Sequence, residues 1–280
     1  MLTALLGAAT AVLFGSGDFF GGLASRRSPA LAVTGVVYVV GMVAFAVFLL
    51  FVRPEQVTRV DLLWGAASGV AGTVGIVSLY AALAIGRMSI VAPITAALSG
   101  AGPAIFDLVR GSHVGPITLV GLALALVSVI IVSTTTGTVE EHGMPPLAVG
   151  LSVLAGASFA CSLVSLSLTL PASGFAPLLI ARTVGTVIMA IALIVRRRDM
   201  KLDREAVRMA LGAGLLDATA NVVMLSAIRI GPLAVAAVVG GLYPVATMLL
   251  ARMVLGERLK RHQAFGVAMA LAAVVLTALP

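Results

Sequence analysis

The amino-acid sequence predicts an all-α polytopic membrane protein: ten transmembrane helices arranged as two inverted five-helix repeats. Three observations carry that expectation. The 280 residues are 60% hydrophobic and 10% charged, with a mean hydropathy of +1.16, more apolar surface than a soluble domain can turn away from water. Apolar runs of about 18 residues or more recur from end to end, without the polar/apolar alternation of a membrane barrel. The chain also repeats itself. A shift of 145 positions carries Gly69, Gly86, Gly111 and Gly121 onto Gly214, Gly231, Gly256 and Gly266, and Ala82, Ala123, Ala125 and Leu126 onto Ala227, Ala268, Ala270 and Leu271.

The spans follow from where polar residues and turn formers interrupt the apolar runs. The first covers 2–24 and ends at Ser25-Arg26-Arg27-Ser28-Pro29. It has no basic start and holds Asp18 in its second half, so it reads as a span and not as a cleaved leader. The second covers 30–52 and stops at Arg53-Pro54-Glu55. The third, 61–85, turns tightly at Gly86-Arg87 into the fourth, 88–109, and the fifth covers 114–134. The polar stretch that follows carries Glu140, Glu141 and His142 and is the seam of the chain. It separates a first repeat, 1–136, from a second, 147–280, with 137–146 as linker. The sixth span covers 147–168 and the seventh 174–195, followed by the charged segment 196–205. The eighth, 206–228, turns at Arg229-Ile230-Gly231 into the ninth, 232–255, which carries Tyr243-Pro244 in its middle and stops at Gly256-Glu257-Arg258. The tenth covers 263–279. Small residues at three- and four-residue spacing, such as Gly65, Gly69 and Gly72, suit close helix packing.

Five spans per repeat is an odd number, so the second copy enters the membrane upside down. Repeats related by a two-fold axis in the membrane plane are a transporter architecture, with the substrate site near the midplane between the halves. The net charge of +7 lies in short loops, where it reads as topology signal and not as a nucleic-acid surface. Loops after odd-numbered spans hold 12 Lys and Arg residues, among them Arg26, Arg27, Arg204 and Arg208; loops after even-numbered spans hold 4, Arg53, Arg59, Arg110 and Arg229. The asymmetry places the odd loops in the cytoplasm and both termini outside. Cys161 is the single cysteine and lies in an apolar run, which excludes a disulfide framework and a cysteine metal cluster. Small-residue packing accounts for it.

The stretch PLAVAAVVGGLYPVATMLLARMVLGERLKRHQAFGVAMALAAVVL closely resembles the second repeat of the EamA-type transporters of the drug/metabolite transporter superfamily. The matching features are the Gly-Pro turn, the mid-span Pro, the Leu-Gly-Glu-Arg stop and the Gln263 to Gly266 opening of the last span. The first half matches more loosely. Its Leu-Gly-Glu stop is replaced by Val109-Arg110-Gly111-Ser112-His113, and its first span reads VLFGSGDFFGGLASRR where a Trp-Gly-Ser type pattern is usual. The resemblance covers the whole chain; it is specific for fold and weak for substrate. It implies ten helices, a central cavity lined by spans 1, 3, 4, 6, 8 and 9, and transport of small organic solutes, often outward, without ATP hydrolysis. It also implies cytoplasmic termini, opposite to the charge count.

Charges inside apolar spans cost about 2.5–3.5 kcal/mol each on insertion scales, so each needs a reason. Asp18 is either a cavity carboxylate for a cation or proton, or the partner of Arg26 or Arg27 about two turns on. Asp217 and Asn221 lie four residues apart on one face of span 8, which suits a polar cavity wall; interhelical hydrogen bonding is the alternative. Arg182 is placed in span 7 either to clamp a substrate carboxylate or to neutralise Asp217, with the second reading ahead. EamA-type proteins often carry an Arg there. Its first-half counterpart, at an offset of 144, is Tyr38, which is assigned to packing. Tyr80 and Tyr243 offer an apolar body with one hydrogen-bonding handle, as cavity walls do. Pro93, Pro103 and Pro244 are candidate flexing points. Asp107 and Arg252 occupy equivalent positions near span ends, where snorkelling is simpler than gating. Trp64 reads as an interface anchor.

No Ser/His/Asp, Cys/His or His/Glu arrangement is visible, so an enzyme is not expected, nor a cofactor or metal. The expected function is secondary active transport, as an exporter, of small polar metabolites such as amino acids in a bacterial inner membrane. The partners are a small-molecule substrate, the lipid bilayer and a coupling proton, and the chain is a monomer or a homodimer. Asp18, Tyr80, Arg182, Asp217, Asn221 and Tyr243 are the expected substrate-binding residues. Two rivals stand beside it: a flippase for lipid-linked or amphipathic compounds, and a non-transporting membrane subunit.

Overall fold

The computed structural model describes residues 1–86, 88–111, 115–133, 145–196 and 201–255, and residues 265, 266, 268, 269, 272, 273 and 276 of the C-terminal segment. Among them there are no strands. The helices run α1 Leu2–Arg27, α2 Ala30–Phe51, α3 Arg59–Ile85, α4 Met88–Val109, α5 Pro116–Ser133, α6 Pro146–Ser167, α7 Ala176–Arg196, α8 Arg204–Ile230, α9 Leu233–Gly240 and α10 Tyr243–Leu255. Six of these, α1, α2, α3, α6, α7 and α8, are long and apolar enough to cross a bilayer. Large apolar side chains such as Leu50, Phe51, Leu63 and Ile194 face outward, as lipid-facing residues do. Most of the linker, the Gly256-Glu257-Arg258 stop, and most of the tenth span lie outside the described residues.

Local chemistry sets the helix ends. Helix α3 starts earlier than its apolar run because Thr58 and Asp61 form a capping box. The Thr58 N–H donates to Asp61 Oδ2 at 2.9 Å and the Asp61 N–H faces Thr58 Oγ1 at 3.5 Å. Helix α7 starts later than predicted, because Gly174 takes a left-handed turn with φ of 53° after the short 3₁₀ turn Pro171–Ser173.

The predicted ninth span is two helices. Helix α9 ends at Gly240, and α10 begins at Tyr243. Between them the Gly241 N–H bonds to the Ala237 carbonyl at 2.8 Å and the Leu242 N–H to the Val239 carbonyl at 3.1 Å. Two glycines weaken helix propagation here. Pro244 has no N–H to offer the Gly240 carbonyl one turn back, while its fixed φ suits the first turn of a new helix. Helix α4 runs unbroken past Pro93 and Pro103; Pro103 is buried, and of Pro93 only the helical position is described.

The halves pack by exchange. Helix α1 packs on α8 and α6 on α3; α2 packs on α8 and α7 on α3; α4 packs on α6, and α9 and α10 pack on α1. Each contact thus has a mate under swapping of the repeats. Helices α2 and α7 cross each other, as do α4 and α9, so these pairs lie on the pseudo-axis. Matched glycines make matched contacts. A Cβ at Gly69 of α3 would meet the Ala181 backbone of α7, and a Cβ at Gly214 of α8 would meet Val40 and the Val37 carbonyl of α2. The exchange reaches the loops. Ser28, between α1 and α2, accepts the Asp203 N–H at the start of α8 at 3.1 Å; Asp61, at the start of α3, accepts the Leu170 N–H between α6 and α7 at 2.8 Å.

Candidate functional site

A cavity of about 110 Å³ lies on this pseudo-axis, with walls from both repeats. It has room for several waters or one small organic solute. Its walls are built largely from equivalent positions. Phe14 of α1 and Phe159 of α6 both line it, as do Gly72 and Asp217, Ile76 and Asn221, each pair 145 residues apart. Tyr38 and Arg182, 144 apart, form another pair. The geometry is symmetric while the chemistry is not. Asp217, Asn221 and Arg182 come from the second repeat, opposite a glycine, an isoleucine and a tyrosine of the first. Asp18, from the first repeat, stands opposite Leu163.

Arg182 is held from two sides. Its Nη2 donates to Asp217 Oδ2 in an ion pair whose side chains are only 8% and 14% exposed. Its guanidinium carbon sits 4.4 Å from the Tyr38 ring centroid and 5.7 Å from that of Phe45. Glycines make room for both partners. A Cβ at Gly41 of α2 would lie 2.9 Å from Arg182 Nε, and one at Gly185 of α7 would overlap the Tyr38 ring. The two α-helices therefore meet with each bulky side chain resting on the other's glycine. Of the two sequence readings for Arg182, the partner of Asp217 is the one seen.

Asn221 donates from Nδ2 to the Asp217 carbonyl at 2.8 Å and is itself a cavity-lining residue. Tyr243, the first residue of α10, donates from Oη to the Ala92 carbonyl of α4 at 3.2 Å. One turn later, Thr247 Oγ1 lies 3.1 Å from the Gly15 carbonyl of α1. The broken α9–α10 segment is thus tied to both α1 and α4, and Gly240, Gly241 and Tyr243 all line the cavity.

Asp18 lines the cavity and, among the described residues, makes no hydrogen bond or ion pair. Of its two sequence readings, the pairing with Arg26 or Arg27 is not formed among the described residues. Arg27 is engaged by Glu205 at the start of α8, since α1 and α8 lie side by side and Arg27 is nine residues beyond Asp18.

Five of the six expected binding residues, Asp18, Arg182, Asp217, Asn221 and Tyr243, therefore share one cavity. Tyr80 is not among its lining residues. It is 1% exposed and packs its hydroxyl end onto Gly21 of α1, where a Cβ would overlap it. Tyr38, read as a packing residue, does line the cavity. Phe14, Phe159, Ser99 and Ser162 line it too, and sequence reasoning does not single them out. The 145-residue offset pairs Phe14 with Phe159 and is the signal that points to those two. Ser162 also joins the repeats, with its Oγ 2.8 Å from Ser68 Oγ of α3. Asp107, near the end of α4, is engaged by the start of α9. It accepts the Ala234 N–H at 3.0 Å and so caps the first turn of α9. The Arg252 side chain lies outside the described residues.

Comparison with known proteins agrees with this architecture. The model of the EamA-like transporter family matches twice, over residues 1–134 and 146–279. No curated protein matches. Among 27 matching chains of solved structures, one crystal structure of a protein is 14% identical over 99% of this chain and 96% of its own, with a TM-score of 0.78. At that identity the likeness shows the fold alone. The doubled family match spans nearly the whole chain, which therefore belongs to the EamA-like transporter family and is a multi-pass membrane transporter of the drug/metabolite type, not an enzyme.

Proposed function

We propose that the protein is a secondary active exporter of small polar metabolites, amino acids among them, working by alternating access around the cavity between its repeats. One observation supports this most: the charged side chains of Asp18, Arg182 and Asp217 and the amide of Asn221 converge on one small cavity built across both repeats. Ionisable groups within membrane spans are costly, and they persist where they face a cavity and serve a solute. The Gly240-Gly241 break in the α9–α10 segment supplies a flexing point at the cavity wall. Ten spans in two inverted five-helix repeats, 1–136 and 147–280, fit the exchange of helix contacts. The Lys and Arg asymmetry supports a cytoplasmic location for the face that carries Arg27 and Glu205, in a bacterial inner membrane with both termini outside.

The test is uptake and efflux of labelled solutes in proteoliposomes, with an imposed proton gradient in either direction. Gradient-driven movement of a polar solute, lost in Asp18→Asn, supports the reading. No movement of amino acids, amines, carboxylates or neutral polar solutes under any gradient removes it.

A further inference from the structure

Among the described residues, three charged side chains line the cavity: Asp18, Arg182 and Asp217. Two of them cancel. Arg182 and Asp217 are joined by a hydrogen-bonded ion pair, and the Tyr38 ring covers the guanidinium from another side. The third, Asp18, has neither a hydrogen bond nor an ion pair among the described residues. With Asp18 ionised, the charged groups that line the cavity among the described residues sum to one negative charge, located on α1. Asp18 shares the cavity wall with aromatic and apolar side chains, and Asp217, Tyr80 and Tyr243 interact with it electrostatically. Phe14 sits one turn before it on the same helical face, and Phe159, the repeat-mate of Phe14, faces the same cavity from α6. Leu163, Leu166 and Met224 add apolar wall.

We propose that the ligand of this cavity is a small monovalent organic cation: an amine with an apolar body, whose ammonium group pairs with Asp18 and whose body packs on Phe14 and Phe159. This narrows the transporter reading above and rests on it. The argument is one of charge complementarity. A monocation neutralises the single uncompensated carboxylate, and its N–H donors meet an acceptor that has no other partner. Aromatic ring faces beside a carboxylate add to cation recognition. An amino acid fits less well. Its own carboxylate needs a cationic donor, and Arg182, the one such donor lining the cavity among the described residues, is already bonded to Asp217. Drawing it away would leave Asp217, whose side chain is only 14% exposed, without its partner.

The test uses ligands matched in skeleton and differing in charge. Detergent-purified protein is titrated calorimetrically with phenethylamine, phenylalanine and 3-phenylpropionate, and with isoamylamine, leucine and 4-methylpentanoate. The two amines are expected to bind, and the corresponding amino acids and acids to bind at least about tenfold more weakly. Asp18→Asn should weaken amine binding by about ten- to a hundredfold, the loss expected for a charge-assisted hydrogen bond. Phe14→Leu, which leaves the carboxylate in place, should weaken it less. Amino acids or acids binding as tightly as the amines in the wild-type protein would overturn the proposal without any variant. So would amine binding undiminished in folded Asp18→Asn. If only the acids or amino acids bind, and are carried across proteoliposomes, the cation assignment falls and the transporter reading stands. If nothing binds and nothing is carried, both fall.

Discussion

The guanidinium carbon of Arg182 lies 4.4 Å from the centre of the Tyr38 ring, and the two residues occupy equivalent positions in the two repeats. Each rests on a glycine of the opposite helix: Arg182 on Gly41, Tyr38 on Gly185. The two glycines are themselves 144 residues apart. The same backbone frame thus accepts an aromatic ring in one copy and a cation in the other, and the pseudo-axis joins them as a cation–π contact. A duplicated structure has here become chemically one-sided. That one-sidedness lets Asp217 of the second repeat find a partner while Asp18 of the first has none among the described residues.

The glycine contacts make the crossing of α2 and α7 sensitive to size. Gly185→Val should force the Tyr38 ring out of place and destabilise the protein by about 1–3 kcal/mol, the usual cost of overpacking. Adding Tyr38→Ala should return part of that loss. Thermal unfolding of the single and double variants in detergent checks it; a double variant no more stable than Gly185→Val alone would count against the contact.

The ion pair of Arg182 and Asp217 should show strong coupling. Arg182→Gln or Asp217→Asn alone leaves one little-exposed charge without its partner, at a cost of about 3–5 kcal/mol. The double variant should be less destabilised than the sum of the singles. A double-mutant cycle on melting temperature measures this, and simple additivity would mean that the pair contributes no interaction of its own.

Asp61 should matter for stability although it is far in sequence from the loop it holds. It is fully buried, caps α3 through Thr58, and accepts the Leu170 N–H of the α6–α7 connection. Asp61→Ala removes the cap and orphans that N–H, which should cost about 2–3 kcal/mol. Increased proteolysis around residues 169–175, together with a lower melting temperature, would be the signature. An unchanged melting temperature would show that water replaces both bonds.

The break between α9 and α10 should be functional and not structural. Pro244→Ala restores an N–H that can reach the Gly240 carbonyl and favours a continuous helix by about 1–3 kcal/mol. Transport is expected to fall while the melting temperature holds or rises. Equal transport in the variant would mean that the break is a packing feature only.

The amino-acid sequence by itself determines much of this molecule. Composition alone requires a membrane protein, because apolar surface on that scale has no aqueous solution. The 145-residue recurrence of glycines requires two copies, because close helix approach needs the same small residues at the same places. The cost of a charge within an apolar span singles out Asp18, Arg182 and Asp217, and all three line the cavity. Asp217 and Asn221 need only the 3.6-residue period to be placed on one face.

Other features depend on which helices meet, and a single helix's pattern does not hold that information. Tyr80 and Tyr38 are both tyrosines within apolar spans, yet Tyr80 packs against Gly21 and Tyr38 faces the cavity; the difference lies in the neighbouring helix. Asp107 has the position of a side chain reaching for the interface, because the α9 N–H that it caps lies 127 residues away. Asp18 has a plausible partner in Arg27 along its own helix, but Glu205 of α8 takes that arginine. Local sequence sets helix length, helix ends and the face that carries a charge, because those follow from short-range sterics and hydrogen bonding. Packing of the two repeats decides which charge is paired and which is not, because an ion pair forms between whatever groups the long-range contacts bring within reach.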